Sequence, residues 1–186
     1  MSALPGELSY DSVDPEQALK YAIQHHAGER VQIIDGVIEP LVPRWGHETL
    51  VDGVREQLRD KARELSRIMG SGDLDLPGSS NWYIPDIAIV PRSLSKDGDT
   101  LLPDQTLLVV EVTSDSNGDT DRAVKPRRYA EYGAPLYLLI DRRDRACTLF
   151  AEPGPLGYTR VVGPLPFGEP IELPEPFGVR LDTSEF

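Results

Sequence analysis

The 186 residues carry 19 Lys and Arg against 31 Asp and Glu, a net charge of −12. That charge repels a phosphate backbone at long range, so non-specific binding of nucleic acid is expected to be weak. The single cysteine, Cys147, excludes an intrachain disulfide and a cysteine metal site, and no apolar run approaches the roughly 20 residues that span a bilayer. With no signal-peptide pattern at the start, the expectation is one cytoplasmic domain over 1–186 with no membrane partner, and with residues 1–13 as a lead-in.

Asp14-Pro15-Glu16 reads as a helix start, with Asp14 as N-cap and Pro15 in the first turn. Leu19, Ala22 and Ile23 give that helix an apolar stripe, His25 and His26 suit its end, and Gly28 is a plausible stop. Val31-Gln32-Ile33-Ile34 and Val37-Ile38-Glu39, separated by Asp35-Gly36, form a tight hairpin. From Gly46 to about Ile68, Leu50, Val51, Val54, Leu58, Ala62 and Leu65 recur at helical spacing, the longest helix of the chain. Gly70 to Gly72 ends it, and Asp73 to Leu76 is a short strand before the Pro77 to Ser80 turn.

Ile84 to Val90 reads as a buried strand and Leu107 to Thr113 as a second, joined by a polar loop from Arg92 to Pro103. Strand alternation puts Leu107, Val109, Glu111 and Thr113 on one face and Leu108, Val110 and Val112 on the other. A turn-rich run from Thr113 to Asp119 leads to a helix over about Arg122 to Tyr132, closed by Gly133. Leu136 to Ile140 has the unbroken apolar character of a central strand. Cys147 to Ala151 follows as another strand, and the proline-punctuated remainder reads as an irregular hairpin and edge strands.

The chemistry converges on three of these elements. Glu111 is a carboxylate within an apolar strand, where an ionised group is costly unless paired, hydrogen-bonded or bound to metal. Asp86, after Pro85, poses the same question from the neighbouring strand. Two such carboxylates on adjacent strands form a hard-oxygen site suited to Mg²⁺ or Mn²⁺. Lys125 stands near the start of the following helix, which Pro126 fits as a first-turn residue, and should overhang the pair. Asp86, Glu111 and Lys125 together point to metal-dependent phosphodiester cleavage. Arg122, Lys125, Arg127, Arg128, Arg142, Arg143 and Arg145 also crowd the segment after the carboxylates, either as a local basic rim or as a solvated helix face and turn.

On the stretches Ile33-Ile34-Asp35-Gly36, His47, Pro85-Asp86, Val110-Glu111-Val112-Thr113-Ser114, and Asp121 with Lys125, Tyr129 and Gly133, the chain resembles the Uma-two family of endonucleases, within the PD-(D/E)XK restriction-endonuclease-like superfamily. The resemblance implies an α/β fold: a restriction-endonuclease-like mixed sheet flanked by helices, here with an extra N-terminal hairpin and C-terminal strands. It also implies a metal held by Asp86 and Glu111, and a water that attacks the phosphodiester of a nucleic acid, DNA in the first instance. Two positions depart from the pattern. The superfamily's lysine falls at Thr113, which cannot supply positive charge, so that Lys125 takes the role from the helix. Gln32 stands where many members have a glutamate.

The remaining residues have a plain reading beside the functional one. Lys125 could be a solvent-exposed lysine paired with Asp121 at i−4. His47 could brace a carboxylate or touch substrate, or be merely polar and exposed. Tyr129 could orient Lys125 or stack on a base, or belong to the core; Trp45, Trp82 and Tyr83 offer a base-stacking surface or packing. At the level of the whole protein the alternatives to the nuclease are a catalytically quiet binding or regulatory protein of the same fold, and a subunit that pairs through a sheet edge, as in a homodimer.

Overall fold

The computed structural model describes residues 14–25, 30–42, 44–96, 100–113 and 118–186, so the lead-in, His26, Gly28 and residues 114–117 lie outside the described residues. Helix α1 (Pro15–Gln24) starts as expected, Asp14 accepting the N–H of Glu16 at 3.0 Å. Strands β1 (Val31–Ile34) and β2 (Val37–Pro40) form the hairpin, with Ile34 opposite Val37. Asp35 and Gly36 both take positive φ, 46° and 82°, which is the geometry an Asp-Gly hairpin turn requires.

Helix α2 (Trp45–Glu64) is shorter than its periodicity indicates. Ser66 adopts φ 56°, and Arg67–Gly70 leaves the helix as β3, paired antiparallel with Arg67 opposite Pro91. Leu65 continues the helical spacing, but the register with a neighbouring strand takes over beyond it. Strand β4 (Asp73–Leu76) is as read. The expected strand over 84–90 begins only at Ile87, as β6 (Ile87–Pro91); an unexpected short strand, β5 (Asn81–Tyr83), precedes it, and Pro85 and Asp86 lie in the bend between the two rather than on a strand. Proline fixes φ and donates no N–H, and here it marks the point where the chain passes from one sheet to the other. The polar loop likewise contains a two-residue strand, β7 (Thr100–Leu101), and a 3-10 turn at Pro103–Gln105.

Strand β8 (Leu108–Val112), helix α3 (Lys125–Glu131) and β9 (Leu136–Asp141) make a crossover unit, β8 and β9 being parallel. Strands β10 (Ala146–Gly154) and β11 (Gly157–Pro166) form a long hairpin with one irregularity between Cys147 and Leu149. It is more regular than its prolines suggest. Pro153 lies past Ala151, where the pairing of β10 with β9 stops, and Pro164 and Pro166 are on an outer strand, the position where proline is tolerated in a sheet. Strands β12 (Ile171–Leu173) and β13 (Val179–Leu181) close the chain.

The strands assemble into a six-stranded mixed sheet in the order β11-β10-β9-β8-β6-β3, a five-stranded sheet in the order β2-β1-β5-β4-β7, and the β12-β13 pair. The large sheet has two apolar faces. Leu108, Val110 and Val112 point with Leu138 and Ile140 toward α2 and the C-terminal strands, while Val109, Tyr137 and Leu139 pack with Tyr83, Tyr129, Leu74 and Leu76 on the side of the smaller sheet. Glu111 is on this second face, between two hydrophobic layers. Cys147 is core, and burial pushes its thiol up to about 12. Among the described residues, no helix is long and apolar enough to cross a membrane.

Gly36→Ala should cost about 1 kcal/mol, since an L residue there keeps the positive φ at a strain penalty. Urea unfolding checks this, and an unchanged midpoint would show that the turn relaxes freely.

Candidate active site

The site sits where β6 and β8 leave the large sheet. Ile87 is paired with Val110 in antiparallel register, and continuing that register by one residue sets Asp86 opposite Glu111. The bend that carries Asp86 is pinned by three bonds: Ser71 Oγ donates to the Pro85 carbonyl at 2.7 Å, Arg55 Nη2 donates to the Asp86 carbonyl at 3.0 Å, and the Val112 N–H donates to Asp86 Oδ2 at 2.7 Å. His47, in the first turn of α2, approaches the same Oδ2 with Nε2 at 3.1 Å. Burial works against the imidazolium, but the bonds to Asp86 and then to Glu48 outweigh it and hold the ring's proton above the usual histidine range. His47 is thus a carboxylate brace, half-buried rather than a free surface group.

Glu111 meets two partners through Oε1: the Tyr129 hydroxyl donates at 3.0 Å and Lys125 Nζ lies at 2.9 Å. Lys125 is also 3.0 Å from Asp121 Oδ1 and only 2% exposed. The i−4 pair with Asp121 is therefore real, but the solvent-exposed lysine of the plain reading is not. One ammonium between two buried carboxylates neutralises one charge. Burial, then the neighbouring acids, accordingly lifts Glu111 and Asp121 above the usual carboxylate range against the pull of Lys125. For Lys125 itself burial opposes the charge, but the two carboxylates prevail and keep it an ammonium well above the ordinary lysine range.

Local backbone geometry makes this bridge. Residues Thr120–Val124 form a π-helical turn immediately before α3. Pro126, second in α3, has no N–H to give and its ring crowds the carbonyl four residues back; a widened turn accommodates it, and such turns recur at functional sites. The helix expected from Arg122 thus has a π turn at its head, which sets Asp121 and Lys125 on one side, facing Glu111.

Tyr129 is fully buried in a ring series, 5.4 Å from both Tyr83 and Tyr137. It is core and brace at once: it orients Glu111 rather than Lys125, and it cannot stack on a base. Trp82 and Tyr83 are likewise core, whereas Trp45 is 90% exposed. Gln32 is buried, and among the described residues its Oε1 has no hydrogen-bond partner. It lines a cavity of about 550 Å³ together with Asp86, Glu111, Asp121, Lys125 and His47. Thr113 does not share that cavity. Its hydroxyl accepts the Arg142 N–H at 2.9 Å and points to Asp141, and it lines the neighbouring cleft instead. The residue that sequence reasoning underrated is Asp121; its signal was the i, i+4 spacing to Lys125.

As a metal site the donor set is oxygen-only. Among the described residues, the contacts of Glu111 fall on Oε1 and those of Asp86 on Oδ2, leaving one oxygen of each uncommitted beside the orphaned Gln32 carbonyl. No cluster of three or more His, Cys, Asp or Glu that could hold a metal is found among the described residues. Two carboxylate oxygens and an amide oxygen fit Mg²⁺ or Mn²⁺, which keep several waters.

Sheet order, helix positions and the carboxylate bend define a restriction-endonuclease-like α/β fold. The family model Uma2, described as a putative restriction endonuclease, matches residues 15–184. The chain belongs to the Uma2 family. The fold is also that of a crystal structure described as a putative nuclease belonging to DUF820 from Anabaena variabilis, with a TM-score of 0.65 at 15% identity over 90% of this chain and 95% of that one. Among curated proteins, none matches.

Two outcomes test the electrostatics. Lys125→Met should lower stability by about 3–5 kcal/mol, because it strands two buried carboxylates. The same change combined with Glu111→Gln and Asp121→Asn should recover part of that loss in chemical denaturation. The second concerns Asp141, whose carboxylate receives a bidentate Arg122 guanidinium, at Oδ1 2.7 Å from Nη2 and at Oδ2 by Nε. That bond, against some burial, holds Asp141 below the usual range. A depressed folded value means stability that is present above the unfolded value near pH 4 and is lost as pH falls through the folded one. Asp141→Asn should therefore cost about 1–3 kcal/mol at neutral pH, with the gap to wild type closing below about pH 4. A gap that stays constant into acid would place the Arg122 pair outside the stability account.

Proposed function

We propose that the protein is a metal-dependent endonuclease that hydrolyses nucleic-acid phosphodiester bonds, with DNA as the substrate to test first. The observation that carries this reading is the placing of Asp86, just before β6, opposite Glu111 of β8, in one cavity with a buried cation and with a Gln32 oxygen that has no partner among the described residues. Asp86, Glu111 and the Gln32 carbonyl would hold Mg²⁺ or Mn²⁺. When bound, such an ion would supply Lewis-acid stabilisation of the phosphate and lower the pKa of a water. The chain's own residues do the positioning. His47 and the Val112 N–H hold Asp86, Tyr129 holds Glu111, and Lys125 keeps a proton-bearing ammonium where negative charge grows in the transition state. Arg30, Arg44, Arg55 and Arg142 line the same cavity, so that the charge met by an entering phosphate differs from the acidic average of the chain.

A second reading is supported by the bridge itself. Lys125 already sits on both Glu111 and Asp121, as it would in a catalytically quiet binding or regulatory protein that keeps the fold. Titration calorimetry with Mn²⁺, followed by incubation with single- and double-stranded DNA and RNA, separates the two. The nuclease reading expects metal binding, cleavage, and loss of most metal affinity in both Asp86→Ala and Glu111→Ala. Metal binding without cleavage of any substrate favours the quiet protein, and wild-type metal affinity in Glu111→Ala would show that the two carboxylates do not share an ion. Gln32→Glu should tighten Mn²⁺ binding by adding a charged oxygen to a hard-cation site; affinity unchanged across several pH values would put Gln32 outside the donor set.

A further inference from the structure

Beside the carboxylate cavity lies a second cleft, of about 620 Å³, lined by Arg122, Arg142, Arg143 and Arg145. Four residues of the basic run that follows the carboxylates in sequence thereby line one cleft, from the π turn and from the turn between β9 and β10. Asp119 and Glu185 line the cleft too, so the sign of its field depends on which arginines are already committed. Arg122 is bound to Asp141 and lies 3.2 Å from Asp119. Arg143 reaches Asp144 at 3.1 Å. Arg145 lies over the Phe167 ring at 5.0 Å and donates to the Phe186 carbonyl at 3.2 Å.

Arg142 differs from these three. Among the described residues, no carboxylate comes within ion-pair distance of its guanidinium, and it alone of the four lines both the cleft and the carboxylate cavity. Its backbone is fixed by the bond from its N–H to Thr113 Oγ1 at 2.9 Å, one residue beyond the end of β8. Its head group packs on the first turn of α2 at Gly46, where even a Cβ would come within 3.3 Å of Nη2. A half-buried arginine fixed at its backbone, with its guanidinium against Gly46 and without a counter-ion among the described residues, in a chain of net charge −12, is a site for an external anion. Its planar fork of donors suits phosphate.

We propose that this cleft is a second phosphate site, in which Arg142, backed by Arg143 and Arg145, takes a phosphate of the nucleic-acid strand flanking the one seated over Asp86 and Glu111. The inference rests on the nuclease reading for the identity of the strand, and on the cleft alone for the anion. The phosphate could be an internal diester or a terminal monoester; the two share their chemistry and differ in charge. A local anchor of this kind lets an acidic protein hold a strand in register where bulk attraction is absent.

The test uses fluorescence anisotropy in EDTA with single-stranded DNA bearing either a 5′-hydroxyl or a 5′-phosphate, together with calorimetric titration of inorganic phosphate, on wild type and Arg142→Gln. Thermal unfolding of the variant without nucleic acid, expected at the wild-type value, shows that the fold is intact. Loss of one charged phosphate contact should weaken DNA binding roughly tenfold and reduce the slope of log affinity against log salt by about 1. If wild type prefers the 5′-phosphate and the variant does not, the bound group is the terminal one; an equal loss on both strands assigns an internal diester. Unchanged affinity and unchanged slope in Arg142→Gln would overturn the proposal. If wild type binds inorganic phosphate through Arg142 but neither strand, the cleft stands as an anion site and its assignment to a strand falls; if it binds no phosphate in any form, the proposal falls, whereas the nuclease reading is decided separately by Mn²⁺ binding and cleavage.

Discussion

A single ammonium buried between two carboxylates is the constraint on which this site depends. Lys125 could not remain charged at that depth without Glu111 and Asp121, and neither acid could be carried into the interface of two sheets without Lys125. Removing both partners from such a set can be tolerated, whereas removing one leaves a charge that solvent cannot reach. The chain thus keeps a costly polar group inside a core otherwise built of Val, Leu, Ile and Tyr, and an arrangement retained at that cost is a natural place to look for function.

The surrounding architecture follows from the need to present these groups at one point. Strand β8 delivers Glu111, the π turn and α3 deliver Asp121 and Lys125, and the Pro85-Asp86 bend between the two sheets delivers Asp86. The hairpin of β1 and β2 brings Gln32 in from the second sheet, and the first turn of α2 brings His47. Each carboxylate has one oxygen fixed by protein donors, which sets the direction of the other. The Tyr83, Tyr129 and Tyr137 rings close the space behind, so that Glu111 is reached from the cavity side.

Much of this could be read from the residues. The Asp-Gly hairpin, the isolated glutamate of β8 and the unbroken apolar run of β9 each carry a local physical signature, and all appear where those signatures put them. The misreadings occur where tertiary pairing overrides local pattern. Leu65 keeps helical spacing, yet the chain breaks at Ser66 because Arg67–Gly70 completes the edge of the large sheet against β6. Ile84 to Val90 reads as one strand, yet the chain enters the large sheet only at Ile87, because the Pro85-Asp86 bend separates it from Asn81–Tyr83 in the other sheet. For the site, Asp86 and Glu111 stood out as carboxylates in apolar stretches, and Lys125 by the resemblance and by its place before Pro126 at a helix start. The weight of Asp121 was not, because its burial depends on a π turn that no periodicity announces, and Thr113 faces the neighbouring cleft since its hydroxyl is held by the turn after β9.

We propose that Asp86 and Glu111 form a hard-cation site beside a lysine that remains in place. Anomalous scattering from a crystal soaked in Mn²⁺ measures this directly. The account expects one strong peak within bonding distance of a carboxylate oxygen of each, with Lys125 Nζ still beside Glu111. A fully soaked crystal with no peak at that position, or a peak bound by other residues, would contradict it.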